Sequence, residues 1–211
     1  TLKYRNTNKK MDYIANDDTI MFNITFNEEL DIKLISGYKK LIFSDYELNE
    51  KLFEYYANNN FFDSFVFKRN KFNKYISVLP TTLTHLIFGY WFNQDVSILP
   101  SSLTHLIFGY SFDKDVSELP PTLTHLTFGT HFDKDVSILP SSITHLIFGY
   151  MFNKDVSNLP PFLTHLTFGA HFDKDVSKLP PNLTHLTFGY YFNQQCNIPP
   201  NIKYLKLDCN N

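Results

Sequence analysis

Leu99 to Glu118 reads LPSSLTHLIFGYSFDKDVSE, and the Leu-Pro pair that opens it returns at Leu79-Pro80, Leu119-Pro120, Leu139-Pro140, Leu159-Pro160 and Leu179-Pro180. The period is 20 residues without an insertion. A unit that short cannot enclose a core alone, so it must stack on copies of itself as the coils of a solenoid.

Inside one unit, Leu103, Leu106 and Phe108 follow an L-x-x-L-x-F spacing between Pro-Ser-Ser and Gly. A segment of this length and boundary predicts a β-strand over Leu103 to Phe108. Leu106 and Phe108 then point into the coil and Ile107 out of it, and successive coils pair as a parallel sheet at about 4.8 Å. Leu103, Phe112, Val116 and Leu119 complete six inward columns. Too few residues remain for a helix on the return path, and proline at the start of each coil favours extended backbone there. The glycine after Phe108 is expected to turn the chain off the sheet with a positive φ or a bulge. The fold class is therefore mainly β, a solenoid of eight or nine coils with one parallel sheet face.

Working outward, all 11 prolines lie from Pro80 onward, and six of the 7 glycines stand in one column from Gly89 to Gly189. The predicted organisation is a flexible N-terminal tail over 1–17, degenerate coils or a cap over 18–71, regular repeats over 72–198, and a half coil with a tail over 199–211. The coil spacing is read in degenerate form at Met21/Ile24/Phe26, Tyr38/Leu41/Phe43 and Phe62/Phe65/Phe67, with room for a short helix over Asn49 to Ala57. Ile202/Leu205/Leu207 repeats it at the other end. Terminal repeats diverge because the outermost coil has no neighbour beyond it.

With 211 residues, 43% hydrophobic content and a net charge of −2, the chain has the means for one elongated core and no field for nucleic acid. No stretch approaches the roughly 20 apolar residues of a membrane span. The first residues lack the apolar centre of a secretion signal, so the expected location is intracellular, in the cytoplasm, or the host cytoplasm if the protein is viral. A chain opening on Thr1 is read as a fragment or as lacking its natural start. Cys196 stands in the column of Val156 and Val176 and reads as a core thiol.

The pattern L-P-x-x-L-x-x-L-x-[apolar] resembles short leucine-rich repeats, and more closely the FNIP repeat of amoebae and the giant viruses that infect them. The Phe-Asn half of that repeat's name stands at Phe72-Asn73, Phe92-Asn93, Phe152-Asn153 and Phe192-Asn193, with Phe-Asp at Phe112, Phe132 and Phe172, and its Ile-Pro half appears mostly as Leu-Pro and once as Ile198-Pro199. The likeness covers about residues 62 to 207. It implies a leucine-rich-repeat-like solenoid. Many such proteins carry an F-box before the repeats, which implies a substrate receptor of a ubiquitin ligase; residues 1 to 61 show no L-P-x-E-x-x-x-x-I box.

Six histidines, His85, His105, His125, His145, His165 and His185, fill one column expected to face outward. They read as a solvated or threonine-bonded ladder in preference to a metal array or pH sensor, since the flanking columns offer only hydroxyls as further ligands. No polar cluster is singular, as a catalytic site built once would be, so no enzyme and no cofactor are expected. The Asn93/Asp113/Asp133 column reads as a ladder bonding adjacent turns. The columns that vary point to recognition: Trp91, Ser111, His131, Met151, His171 and Tyr191 occupy one, preceded by a column of mostly tyrosine, and Ile107, Thr127 and Ile147 belong to another beside His105, His125 and His145. Exposed aromatic, His and Met side chains anchor interfaces. These twelve are the candidate binding residues. The expected partner is another protein, with neither nucleic acid nor membrane, and with self-association through the solenoid ends as an alternative.

Overall fold

A computed structural model describes residues 3–7, 10–23, 26–43, 70–77, 79–195 and 198–208. Its strands are β1 (Lys3–Thr7), β2 (Lys10–Ala15), β3 (Thr19–Phe22), β4 (Lys40–Phe43), β5 (His85–Ile87), β6 (His105–Ile107), β7 (His125–Thr127), β8 (His145–Ile147), β9 (His165–Thr167), β10 (His185–Phe188) and β11 (Tyr204–Leu207), with one helical turn α1 (Ile32–Ile35). All eleven lie in one sheet in chain order. From β3 onward every pairing is parallel and in register, Leu86 opposite Leu106 and so on.

Each strand in the repeats is shorter than the spacing suggests. Regular strand geometry covers only His105–Ile107, between turns in which Leu103 N–H donates to the Pro100 carbonyl and Phe112 N–H to the Gly109 carbonyl, although Thr104 N–H and Phe108 N–H still bond the neighbouring coils at Thr84 O and Thr127 O. The side-chain assignment stands: Leu103, Leu106, Phe108, Phe112 and Val116 are all buried, with Phe108 stacked between Phe88 and Phe128. Burying a phenylalanine contributes about 1.5–3 kcal/mol, and the columns repeat that gain coil after coil.

The glycine column has a different cause from the one expected. Among the described residues only Gly37 has a positive φ, 90°. At Gly129 a Cβ would stand 1.8 Å from the Gly109 carbonyl oxygen, and the same clash recurs at Gly109, Gly149, Gly169 and Gly189. Adjacent coils touch backbone to backbone there, and no side chain fits.

Equivalent rings report how the coils fan. Stacked centroids are 4.1–4.2 Å apart in the His column outside the sheet, 5.8 Å in the Phe88/Phe108/Phe128 column just inside it, and 6.1–6.2 Å in the Phe92/Phe112/Phe132 column deeper in. Equivalent side chains move with their coils, so the sheet face is the concave side.

Two expectations for the N-terminal part need correction. Within 1–17, taken as a flexible tail, β1 and β2 pair antiparallel with each other, and β2 pairs antiparallel with β3. Ile14 and Ala15 are fully buried, which ties this segment to the core despite its polar composition. The first coil is also in another register: Ile20 and Phe22, in place of Ile24 and Phe26, stand opposite Leu41 and Phe43. Phe26 instead takes the position of Phe92, stacking on Phe72 at 5.9 Å. The spacing at Tyr38/Leu41/Phe43 is matched, all three being buried. Phe43 stacks on Phe72 at 4.1 Å as Phe88 does on Phe92 at 3.6 Å, so Phe43 and Phe72 hold the equivalent positions of one coil. Ile24, the segment Asn49 to Ala57, the Phe62/Phe65/Phe67 pattern and Cys196 lie outside the described residues.

Candidate functional site

The concave face is built on a threonine-histidine ladder. Thr104 Oγ1 donates to the Thr84 carbonyl at 3.1 Å and lies 2.8 Å from His105 Nδ1, and the pair is repeated at Thr124/His125, Thr144/His145, Thr164/His165 and Thr184/His185. A hydroxyl has one proton. With that proton on the carbonyl, the hydroxyl's lone pair can accept from Nδ1–H; turned to Nδ1 instead, the hydroxyl suits the other tautomer. Burial, and then neighbouring imidazoles, push His105, His125, His145 and His165 down to about 4, so these four are neutral at pH 7. For His85 burial is again the largest cause, and Lys40 beside it adds to the shift to about 4. Parallel rings aim their nitrogens in parallel, and among the described residues no three His, Cys, Asp or Glu converge to hold a metal ion.

Behind the ladder, the expected Asn/Asp column forms. Asn93 Oδ1 accepts from Asp113 N–H at 3.0 Å, Asp113 from Asp133 at 3.1 Å and Asp133 from Asn153 at 2.9 Å. Lys134 reaches Asp113 at 2.8 Å and Lys154 reaches Asp133 at 3.0 Å, all four being surface groups.

At the rim, where the chain leaves the sheet, the varying column is fixed by backbone. Ser111 N–H donates to Tyr90 O, His131 to Tyr110 O, Met151 to Thr130 O, His171 to Tyr150 O and Tyr191 to Ala170 O, each at 2.9–3.0 Å. Trp91, His131, Met151 and Tyr191 are exposed, while Ser111 and His171 are half-buried. Tyr90 and Tyr110 stack face to face at 4.4 Å. Where that column breaks, at Thr130 and Ala170, the following residue is histidine, and His131 and His171 turn onto Tyr110 and Tyr150 at 4.4 and 4.6 Å.

On the sheet face itself, Ile107, Ile147, His105, His125 and His145 are half-buried, with their outer surfaces available. Thr127 is not: it is only 1% exposed, sunk between its neighbours Ile107 and Ile147. Its Oγ1 has no hydrogen-bond partner. Two adjoining hollows share Ile147 and Thr167. One, of about 150 Å³, touches Thr127, His145 and His165, and the other, of about 390 Å³, extends to Thr130, Tyr150 and Ala170. Tyr150, Thr130 and Ala170 were not among the candidates; the interruption of the tyrosine column was the signal available for them.

Among the described residues no helix is long and apolar enough to cross a membrane. Residues 72–111, 92–131, 115–151, 135–171 and 175–210 match the FNIP Repeat family. No curated protein matches the chain. Among solved structures, CroV588, a giant-virus protein described as a novel circular leucine-rich-repeat structure, is similar at 32% identity with a TM-score of 0.74. The likeness covers 92% of this chain and 28% of that one, so this chain spans less than a third of the other's length.

Proposed function

The chain belongs to the FNIP repeat family, and we propose that it is a non-catalytic scaffold that binds another protein through the rim and concave face of its solenoid. The observation that carries this reading is the row of large apolar side chains along one rim: Trp91, Tyr150, Met151, Tyr190 and Tyr191 are 42–52% exposed. Apolar groups exposed in a line mark interaction surfaces. Beneath them the glycine, His and Asn/Asp columns are alike from coil to coil, so position along the solenoid is encoded only in what varies. An intracellular setting, in a host cytoplasm if the protein is viral, is part of the proposal.

Affinity capture from a host-cell lysate, read by mass spectrometry, tests it. Replacing Trp91 and Met151 together by Ser should abolish retention of the main partner with the melting temperature nearly unchanged, whereas replacing Lys134 and Lys154 by Ser should leave it within a few-fold. The reverse result would move the binding face to the charged edge. A second reading, copies joining end to end, draws on β11, where Leu205 and Leu207 continue the inward columns of Leu186 and Phe188 yet are 40% and 51% exposed. A sedimentation coefficient that rises with concentration supports that reading.

A further inference from the structure

The two ends of the sheet are finished differently. The register that holds Leu86 runs back through Leu41, Ile20 and Ala15 to Lys3 on β1. Forward, the same register passes through Leu186 to Leu205 on β11. Lys3 is exposed, so the first end of this column closes on a cation. The last end closes on leucine. Leu186 and Phe188 are fully buried, whereas Leu205 and Leu207, one coil further on in the same columns, are 40% and 51% exposed.

The backbone of β11 is open on the same side. Tyr204 N–H donates to Thr184 O at 3.0 Å and Asp208 N–H to Phe188 O at 3.1 Å. In a parallel pair every second residue faces the neighbouring strand, so Leu205 and Leu207 turn their N–H and C=O groups to the edge. Among the described residues no strand pairs there. An edge backed by exposed leucines is a template for a further strand. The chemistry of the first end argues against β1 of another copy, because Lys3 would lose its water on leucine without a counter-ion. A second β11 fits instead. In an antiparallel pair, residues directly opposite share a face, and like charges opposite each other destabilise it. Centred on Leu205, the pair would set Leu207 against Lys203; centred on Lys206, it would bring two ammonium groups together. Centred on Leu207, it keeps leucine on leucine and sets each Lys206 opposite Asp208 of the other copy, the carboxylate that Lys206 reaches at 2.8 Å within its own chain.

We propose that β11 joins two copies of this chain tail to tail, antiparallel and centred on Leu207, so that one sheet and one apolar core run through both solenoids. The contact uses the same surface on each copy, so assembly stops at the dimer. The inference sharpens the end-to-end reading above and does not draw on the rim or on the partner bound there.

Sedimentation equilibrium of the full chain over a wide concentration range should fit a monomer–dimer equilibrium with nothing larger. Leu207→Asp sets two carboxylates against each other at the centre and should weaken the dimer at least about tenfold, with an unchanged circular dichroism spectrum because position 207 is half in water. Lys206→Asp and Asp208→Lys each place like charges across the contact, so each variant alone should dimerise several-fold less well. An equimolar mixture of the two should recover, since unlike chains then face each other with opposite charges. In a chain carrying Cys196→Ser and Cys209→Ser, Leu207→Cys should give an inter-chain disulfide on mild oxidation. A monomer at every concentration overturns the proposal. Oligomers that grow past the dimer overturn it in favour of head-to-tail stacking, and no recovery on mixing overturns the register. The scaffold reading is tested by the Trp91/Met151 variant alone, so it stands or falls separately.

Discussion

The N-terminal strands and the regular coils share one sheet and one core, but they treat its outer face in opposite ways. On β2, β3 and β4 the outward residues Ile14, Met21 and Ile42 are buried as deeply as the inward Ile20 and Leu41. From β5 on, the same column holds half-exposed Ile87, Ile107 and Ile147 beside the histidines. Parallel pairing and inward apolar columns are thus all that a coil needs in order to stack. The ladders of histidine and glycine belong to the regular coils, where adjacent units are alike, whereas the Asn/Asp ladder already starts in the N-terminal part, with Asn27 Oδ1 accepting from Asn73 N–H at 3.2 Å. Identity between neighbours is what makes the concave face of the repeats a tight, open surface, and the N-terminal part does without it.

Glycine substitution should break this comparison most sharply. Gly129→Ala places a methyl group against backbone at 1.8 Å and should cost at least about 4 kcal/mol. Gly37→Ala, in the N-terminal part, meets nothing within 4 Å and suffers only its φ of 90°, so about 1 kcal/mol is expected. Denaturant melts of the two variants measure the difference. Comparable losses would mean that coil-to-coil contact is no closer in the repeats than elsewhere.

Acidification should act next, and only through the repeats. Five histidines titrate near 4 in the folded chain, against an ordinary value of 6.5, chiefly because burial disfavours the charged form. The unfolded chain therefore takes up more protons between those values. Stability should be complete above about pH 6.5 and decline as pH falls toward 4. Lys40 and the neighbouring imidazoles oppose protonation at His85, and Asp18 favours it. The Asp carboxylates bonded to Ser97, Ser117 and Ser137 lie below their usual range and titrate outside this window. Thermal melts from pH 7.5 to 4.5 should show the decline, and replacing His125 and His145 by Gln should flatten it. An unchanged slope would place the acid sensitivity outside the ladder.

The smallest effect belongs to the charged edge. Lys134 and Asp113 touch at 2.8 Å, but their side chains are 45% and 35% exposed, and screened pairs of this kind contribute little. Lys134→Ala should change stability by under about 0.5 kcal/mol in a denaturant melt. A larger loss would show that inter-coil ion pairs work alongside the backbone ladders.

The repeat sequence by itself determined the fold and most of the candidate surface. A period of 20 with apolar residues at Leu103, Leu106, Phe108, Phe112 and Val116 specifies register and inward face together, because a slip by one residue in a parallel stack would turn every one of them outward. It also separated the columns that repeat from Trp91, His131 and Met151, which do not. Tertiary structure decided what depends on two or more coils at once. Thr127 reads as a surface residue in its own unit and is buried only because Ile107 and Ile147 flank it from the coils on either side. Glycine is required by the carbonyl of the preceding coil, not by its own φ. The first coil's register was illegible at Met21/Ile24/Phe26 because Met21, Ile20 and Phe22 are all apolar and all buried, so alternation along the strand carries no signal there. A sequence written one unit at a time records what each coil brings. How much of it stays in water is set by the neighbours and by the fanning that crowds the concave side.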